Sequence, residues 1–223
     1  MMDVFAAAMT SKETDMQGAS DGESVAALSR VIGERRSVRR FSDEAPAREA
    51  LAQVLAAGLA APYAAAMAPG ATLDRRFFVL PRGSQALTAA AAAIQAHAVA
   101  ALAGDQLPPP LRARLEPVAQ GRILGVGTAP FYVVVAERAA MPAVQQQSLA
   151  HALENMWLMA TALGLGMHLV TATTQMGDDV DFCGVLGLPV GEYALNGCAI
   201  GVPAQAPEAR PAGDVSAVTT WLD

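Results

Sequence analysis

The chain has 223 residues, 53% of them hydrophobic and 16% charged, with a formal net charge of −6, which is the profile of one globular domain with enough apolar content for a sizeable core. Collagen, a coiled coil and a mainly disordered chain are excluded by that composition. With a sequence pI near 5.0, a general nucleic-acid binder is excluded too, because neutralising phosphates needs a basic face.

Residues 1–23 carry no basic residue ahead of their short apolar patch, so they lack the signal-peptide pattern and read as a flexible polar leader. Residues 24–223 read as one domain with no linker and no internal repeat. Ser24 is a candidate N-cap for a helix with Val25, Leu28 and Ile32 at helical spacing, ending near Gly33 to Arg36. Asp43 and Pro46 introduce a second helix with Leu51, Val54, Leu55 and Leu59 on one face, which stops before Pro62. Ala61 to Asp74 reads as loop, with Pro69-Gly70 as a turn signal.

Phe77 to Leu80 reads as a short buried strand and Ser84 to Ala103 as an alanine-rich helix. Alanine stands at 49 of the 223 positions, and its most apolar window, Ala86 to Ala103, is interrupted by Thr88, Gln95 and His97. No stretch approaches about 18 uninterrupted large apolar residues, so no membrane partner is expected and the location reads as cytoplasmic. Pro108 to Pro110 ends the helix, a short helical piece covers Leu111 to Gln120, and Phe131 to Ala136 carries the strongest strand signal, placing it centrally in a sheet.

From Gln147 to Leu163, Leu149, Leu153, Met156, Trp157, Ala160 and Leu163 form the apolar stripe of a long helix closed by Gly164 and Gly166. That stripe requires a large partner surface, part of it expected at a subunit interface. Met167 to Thr171 reads as a strand, Val180 to Leu186 as a short helix, and Ala194 to Val202 as a last strand before a Pro-rich tail ending in Trp221-Leu222. Helices and strands in this order define an α/β or α+β class with one mixed sheet.

Arg35-Arg36-Ser37-Val38-Arg39-Arg40-Phe41 is the segment with the most distinctive chemistry. With Arg30 it holds five of the chain's 15 basic residues, and Lys12 is the single lysine, so the positive charge is almost all guanidinium, which binds phosphate through a fixed fork. Two readings are open from the charges: a solvated turn paired with Glu34, Asp43, Glu44 and Glu49, or a site for a phosphate-bearing ligand. Cys183 and Cys198 read as buried, inert thiols. His97, His151 and His168 read as structural, and Met156, Met159, Met167 and Met176 as packing. No metal-ligand spacing and no Ser-His-Asp arrangement is visible.

The ordered set of R-R-S-V-R-x-F at Arg35 to Phe41, Pro46, Ala61-Pro62, Gly164-Leu165-Gly166, Leu186-Gly187-Leu188-Pro189 and Gly201-Val202-Pro203 resembles the FMN-dependent nitroreductase family. The resemblance covers Ser24 to the C-terminus. It implies an α+β fold with a mixed central sheet flanked by helices, in an intertwined homodimer whose subunit boundary holds FMN. It also implies that Arg35, Arg36, Ser37 and Arg39 hold the flavin's phosphate and polar edge. Arg210, the last basic residue, is either a further phosphate contact or an ordinary tail residue, and Arg40 is left at the surface. Thr171 and Ala172 fall where family members set a backbone amide against the flavin's reactive nitrogen.

One stretch departs from the family. Where members often read A-P-S-x-x-N-x-Q-P, this chain has Ala61-Pro62-Tyr63-Ala64-Ala65-Ala66-Met67-Ala68-Pro69. Ala66 and Ala68 replace the Asn and Gln, and Tyr63 offers either a hydroxyl or a packing ring. The activity implied is reduction of a small nitroaromatic, quinone or related acceptor with NAD(P)H in a ping-pong cycle, the flavin doing the chemistry with no catalytic side chain. The alternatives are a dehalogenating or flavin-fragmenting relative, and a degenerate member that stores or senses FMN without turnover.

Overall fold

The structure, a computed structural model, describes residues 21–63, 74–104, 107–140, 143–208, 210–211 and 213–222. Most of the leader, and the loop positions from Ala64 to Gly70 that carry the departure from the family, lie outside the described residues. The chain divides into two compact units, Met1–Arg35 with Ala209–Asp223, and Arg36–Glu208.

In the first unit, helix α1 (Asp21–Glu34) begins ahead of Ser24, so that serine lies inside the helix and does not cap it. Arg35 continues the helical hydrogen bonding through its N–H to the Val31 carbonyl at 3.0 Å. Near the C-terminus a 3₁₀ turn covers Ser216–Val218, and the Asp214 carboxylate accepts from the N–H and hydroxyl of Ser216.

The second unit is built on a four-stranded sheet. Its elements are α2 (Arg48–Leu59), β1 (Arg75–Pro81), α3 (Gln85–Leu102), α4 (Pro109–Ala119), β2 (Phe131–Arg138), α5 (Gln145–Ala162), β3 (Gly166–Leu169), a 3₁₀ turn at Thr171–Gln175, α6 (Val180–Leu186) and β4 (Tyr193–Gly201). The strand order is β1-β2-β4-β3, which puts β2 inside, as its Tyr-Val-Val-Val-Ala run requires. All three ladders are antiparallel. The mixed sheet expected from the sequence is therefore antiparallel in every ladder, and the parallel pairing among the described residues is the isolated bridge between Ser37 and Met167.

Strand alternation sends two sets of side chains to opposite faces. Val133, Val135, Cys198 and Ile200 pack with Leu51 and Val54 of α2 and with Leu149, Leu153, Met156 and Trp157 of α5. Tyr132, Val134, Ala136 and Leu195 pack with Leu87, Ala90 and Ile94 of α3 and with Phe182 and Leu186 of α6. The result is a sheet between two helical layers, an α+β arrangement. Helix α3 is long and apolar enough to cross a membrane by length and composition; here its Leu87, Ala90, Ala93, Ile94 and Ala98 are buried in the core.

Helix α5 corrects one expectation. Its apolar stripe finds its partner surface within the same chain, since Leu149, Met156 and Ala160 are fully buried against the sheet and α2. A subunit interface is thus not required to cover it. Val25, Leu28 and Ile32 of α1, Leu59, Trp221 and Leu222 are among the large apolar side chains left exposed.

Candidate functional site

The arginine-rich turn leaves its helix and runs beside the end of β3. Ser37 bridges Met167 in parallel, and the Val38 N–H donates to the Met167 carbonyl at 3.0 Å. This approach needs glycine at 166: a Cβ there would lie 2.6 Å from the Val38 Cβ, closer than packed carbons allow. Val38 is buried while Ser37, Arg39 and Arg40 are exposed, so one apolar side chain anchors the turn and its polar neighbours face outward.

The turn then pairs with the segment that follows β4. The Ser42 N–H donates to the Val202 carbonyl at 2.8 Å, and the Ala204 N–H to the Arg40 carbonyl at 3.0 Å. Arg36 ties the far end, its Nε donating to the Glu208 carbonyl at 2.9 Å. Trp157 of α5 holds Arg36 in turn, its Nε1 donating to the Arg36 carbonyl at 3.0 Å.

Between these two segments lies a cleft of about 230 Å³, lined by Ser37, Val38, Arg39, Arg40 and Gln205 to Glu208. Neither the Arg39 nor the Arg40 guanidinium makes a hydrogen bond or ion pair with a described residue. Two guanidinium groups and a hydroxyl at one opening are a donor set suited to a phosphate or carboxylate, and partial exclusion of water strengthens their pull on an anion.

His168 lies on β3, one residue after Met167. Its Nδ1 is buried and unpartnered, and burial first, then the nearby Arg39 charge, lower its pKa below the ordinary histidine value. His97 differs, pairing through Nε2 with Gln175 Oε1 at 3.0 Å, and His151 is exposed on α5. Both cysteines are free and buried, and burial raises both thiol pKa values. Met156, Met167 and Met176 are fully buried, consistent with packing.

Of the residues singled out in the sequence, Ser37 and Arg39 line the cleft together, while Arg36 fastens its wall with Nε. Arg35 and the exposed Arg210 belong to the other unit. Thr171 and Ala172 open the 3₁₀ turn after β3. Its first internal donor is the Thr173 N–H, to the Val170 carbonyl at 3.0 Å, so the two preceding amides stand outside that pattern. Arg40, which the sequence leaves at the surface, also lines the cleft, and the 205–208 segment, which carries no signal of its own, is brought to the turn by pairing of the chain after β4 with Arg40 and Ser42.

A sheet between two helical layers, with an arginine-lined cleft beside one edge strand, defines an α+β protein. The Nitroreductase family model matches residues 32–202, and the chain belongs to that family, whose members are generally oxidoreductases. No curated protein matches. Among solved structures, a BluB-like flavoprotein from Clostridium difficile 630 is 22% identical with a TM-score of 0.69, covering 88% of this chain and 99% of its own. A nitroreductase with bound FMN from Bacteroides fragilis NCTC 9343 is 21% identical with a TM-score of 0.68, covering 88% and 98%. A nitroreductase with bound FMN from Desulfitobacterium hafniense DCB-2 is 23% identical with a TM-score of 0.63, also covering 88% and 98%. At these identities the likeness shows the shared fold.

Proposed function

We propose that the protein is an FMN-dependent oxidoreductase that reduces a small nitroaromatic, quinone or related acceptor with NAD(P)H. The observation that carries this reading is the cleft in which Ser37 and Arg39 meet, inside the region matched by the family. Its donors fit the phosphate end of a flavin mononucleotide. When bound, FMN supplies the two-electron chemistry of a ping-pong cycle between NAD(P)H and the acceptor.

This chain's own residues bind and orient. Ser37 and Arg39 take the phosphate, Arg35 and Arg210 are assigned to the cofactor by family position, and Arg36 keeps the cleft wall in place. An amide of Thr171 or Ala172 is assigned to the flavin ring on the same grounds. No side-chain acid or base is needed. The exposed apolar residues of α1 and the C-terminal segment support a homodimer, with the flavin at the subunit boundary, and we place the protein in the cytoplasm.

The test is the visible spectrum of the purified protein, with identification of any chromophore released on denaturation. The expected result is about one FMN per chain, lost in an R35A/R39A variant that stays folded and dimeric. A colourless protein that takes up no added FMN overturns the reading. Alanines at 66 and 68 favour one alternative, a flavin-binding protein without turnover; a full complement of reducible FMN, with no NAD(P)H oxidation across quinone and nitroarene acceptors, would select it.

A further inference from the structure

We propose that Glu208 is the selectivity residue of the cleft: its carboxylate makes a site for small anions into one that favours a phosphate ester with hydroxyl groups on the carbons beside the phosphate. The proposal rests on the cofactor reading and deepens it, assigning a contact for the polyol chain next to the FMN phosphate.

The segment that closes the cleft, Gln205-Ala206-Pro207-Glu208, carries one acidic side chain. Proline fixes its own φ and biases the residue before it to extended backbone, so the approach to Glu208 is stiff. Both ends of the segment are fastened to the opposite wall. The Ala204 N–H donates to the Arg40 carbonyl at 3.0 Å, and the Glu208 carbonyl accepts from Arg36 Nε at 2.9 Å. Arg36 is held in turn by Trp157. These bonds use only the main chain of Glu208. Its side chain is exposed and makes no hydrogen bond or ion pair with a described residue.

One wall therefore carries Arg39, Arg40 and Ser37, the other Glu208, and the charges of the two walls are not paired with each other. An anion in a cleft of about 230 Å³ meets both walls at short range, inside the salt screening length of about 8 Å. It is attracted by the guanidinium groups and repelled by the carboxylate. An ionised carboxylate accepts hydrogen bonds and donates none, so a ligand makes Glu208 a partner only by bringing donors of its own. Hydroxyls beside the phosphate supply them, in charge-assisted bonds. The ribityl chain of FMN carries such hydroxyls; the dianion of a simple alkyl phosphate has none.

The test is NMR titration of the flavin-free, full-length wild type and E208A with glycerol 3-phosphate and with n-propyl phosphate. It is run at about pH 8, where both esters are dianions because their second pKa is near 6. The probes match in chain length and charge and differ in their hydroxyl groups. The wild type is expected to favour glycerol 3-phosphate by about tenfold. In E208A, n-propyl phosphate is expected to gain affinity and the preference to disappear. A merely structural role for Glu208 would weaken both probes alike and leave their ratio unmoved, which overturns the proposal, as does a wild type that shows no preference or binds neither probe. If E208A does not fold, E208Q decides, since it removes the charge and keeps an acceptor: n-propyl phosphate binding it more tightly than the wild type supports the proposal, and unchanged binding overturns it. Titration of the wild type with FMN separates the two readings. A protein that prefers glycerol 3-phosphate yet binds no FMN overturns the cofactor reading and supports Glu208 as the selectivity residue of a site for another polyol phosphate.

Discussion

The Arg75 guanidinium donates to the Glu137 carboxylate at 2.6 Å in an ion pair whose side chains are 4% and 0% exposed. The same guanidinium donates to the carbonyls of Gly58 at 2.7 Å, Ala61 at 3.0 Å and Pro62 at 3.0 Å, and the Tyr63 ring lies beneath it. One buried cation thus pins the end of α2, the entrance to the 64–73 segment and the β1-β2 edge of the sheet.

Removing one partner of such a pair leaves the other charge buried alone. R75M is therefore expected to lower stability by about 3 to 5 kcal/mol, measured by urea unfolding. The double variant R75M/E137L, which removes both charges, is expected to recover part of that loss. A double variant no more stable than R75M would show that the carbonyl bonds, and not the ion pair, dominate.

Gly166 permits the contact that forms the cleft. G166A forces its new methyl into Val38 and is expected to cost about 1 to 3 kcal/mol, with a matching loss of FMN affinity because Ser37 and Arg39 move with Val38. Adding V38A opens space for the methyl and is expected to restore binding in part. Thermal melts and flavin titration of both variants check this.

Acid stability is expected to depend on Asp74. Arg76 first, at 2.7 Å, and then the Tyr193 hydroxyl hold its pKa down to about 2, from an ordinary value of 3.8. The folded state thus favours the carboxylate: its contribution is complete above about pH 4 and is lost as pH falls through about 2. D74N should be less stable than the wild type at neutral pH, and the gap should close across that acid interval in pH-dependent denaturation curves. A gap that persists at pH 2 would place the effect in packing.

The two thiols are expected to be silent in the native protein. Cys198 is fully enclosed, and the Cys183 Sγ donates to the Gly177 carbonyl at 3.2 Å; burial raises both thiol pKa values, leaving little thiolate to react. A disulfide-exchange reagent should label neither in buffer and both in denaturant. Rapid native labelling would mean that the layer holding α6 opens readily.

The sequence by itself determined the elements whose signals are local. Helix α6 spans Val180–Leu186 as the sequence predicts, because Asp179 caps it through the Phe182 N–H at 2.8 Å and Gly187 ends it at φ +64°. Ser84 likewise caps α3, accepting from the Leu87 N–H at 3.1 Å. The basic turn was also legible, since five arginines within eleven positions are a property of the chain alone. Only the tertiary structure decided what surrounds that turn. Gln205 to Glu208 lie more than 160 residues away in sequence and reach Arg39 because β4 delivers them there. The stripe on α5 marked a buried face correctly, yet amphipathicity records that a surface is covered and not by what, and α2 and the sheet of the same chain cover it.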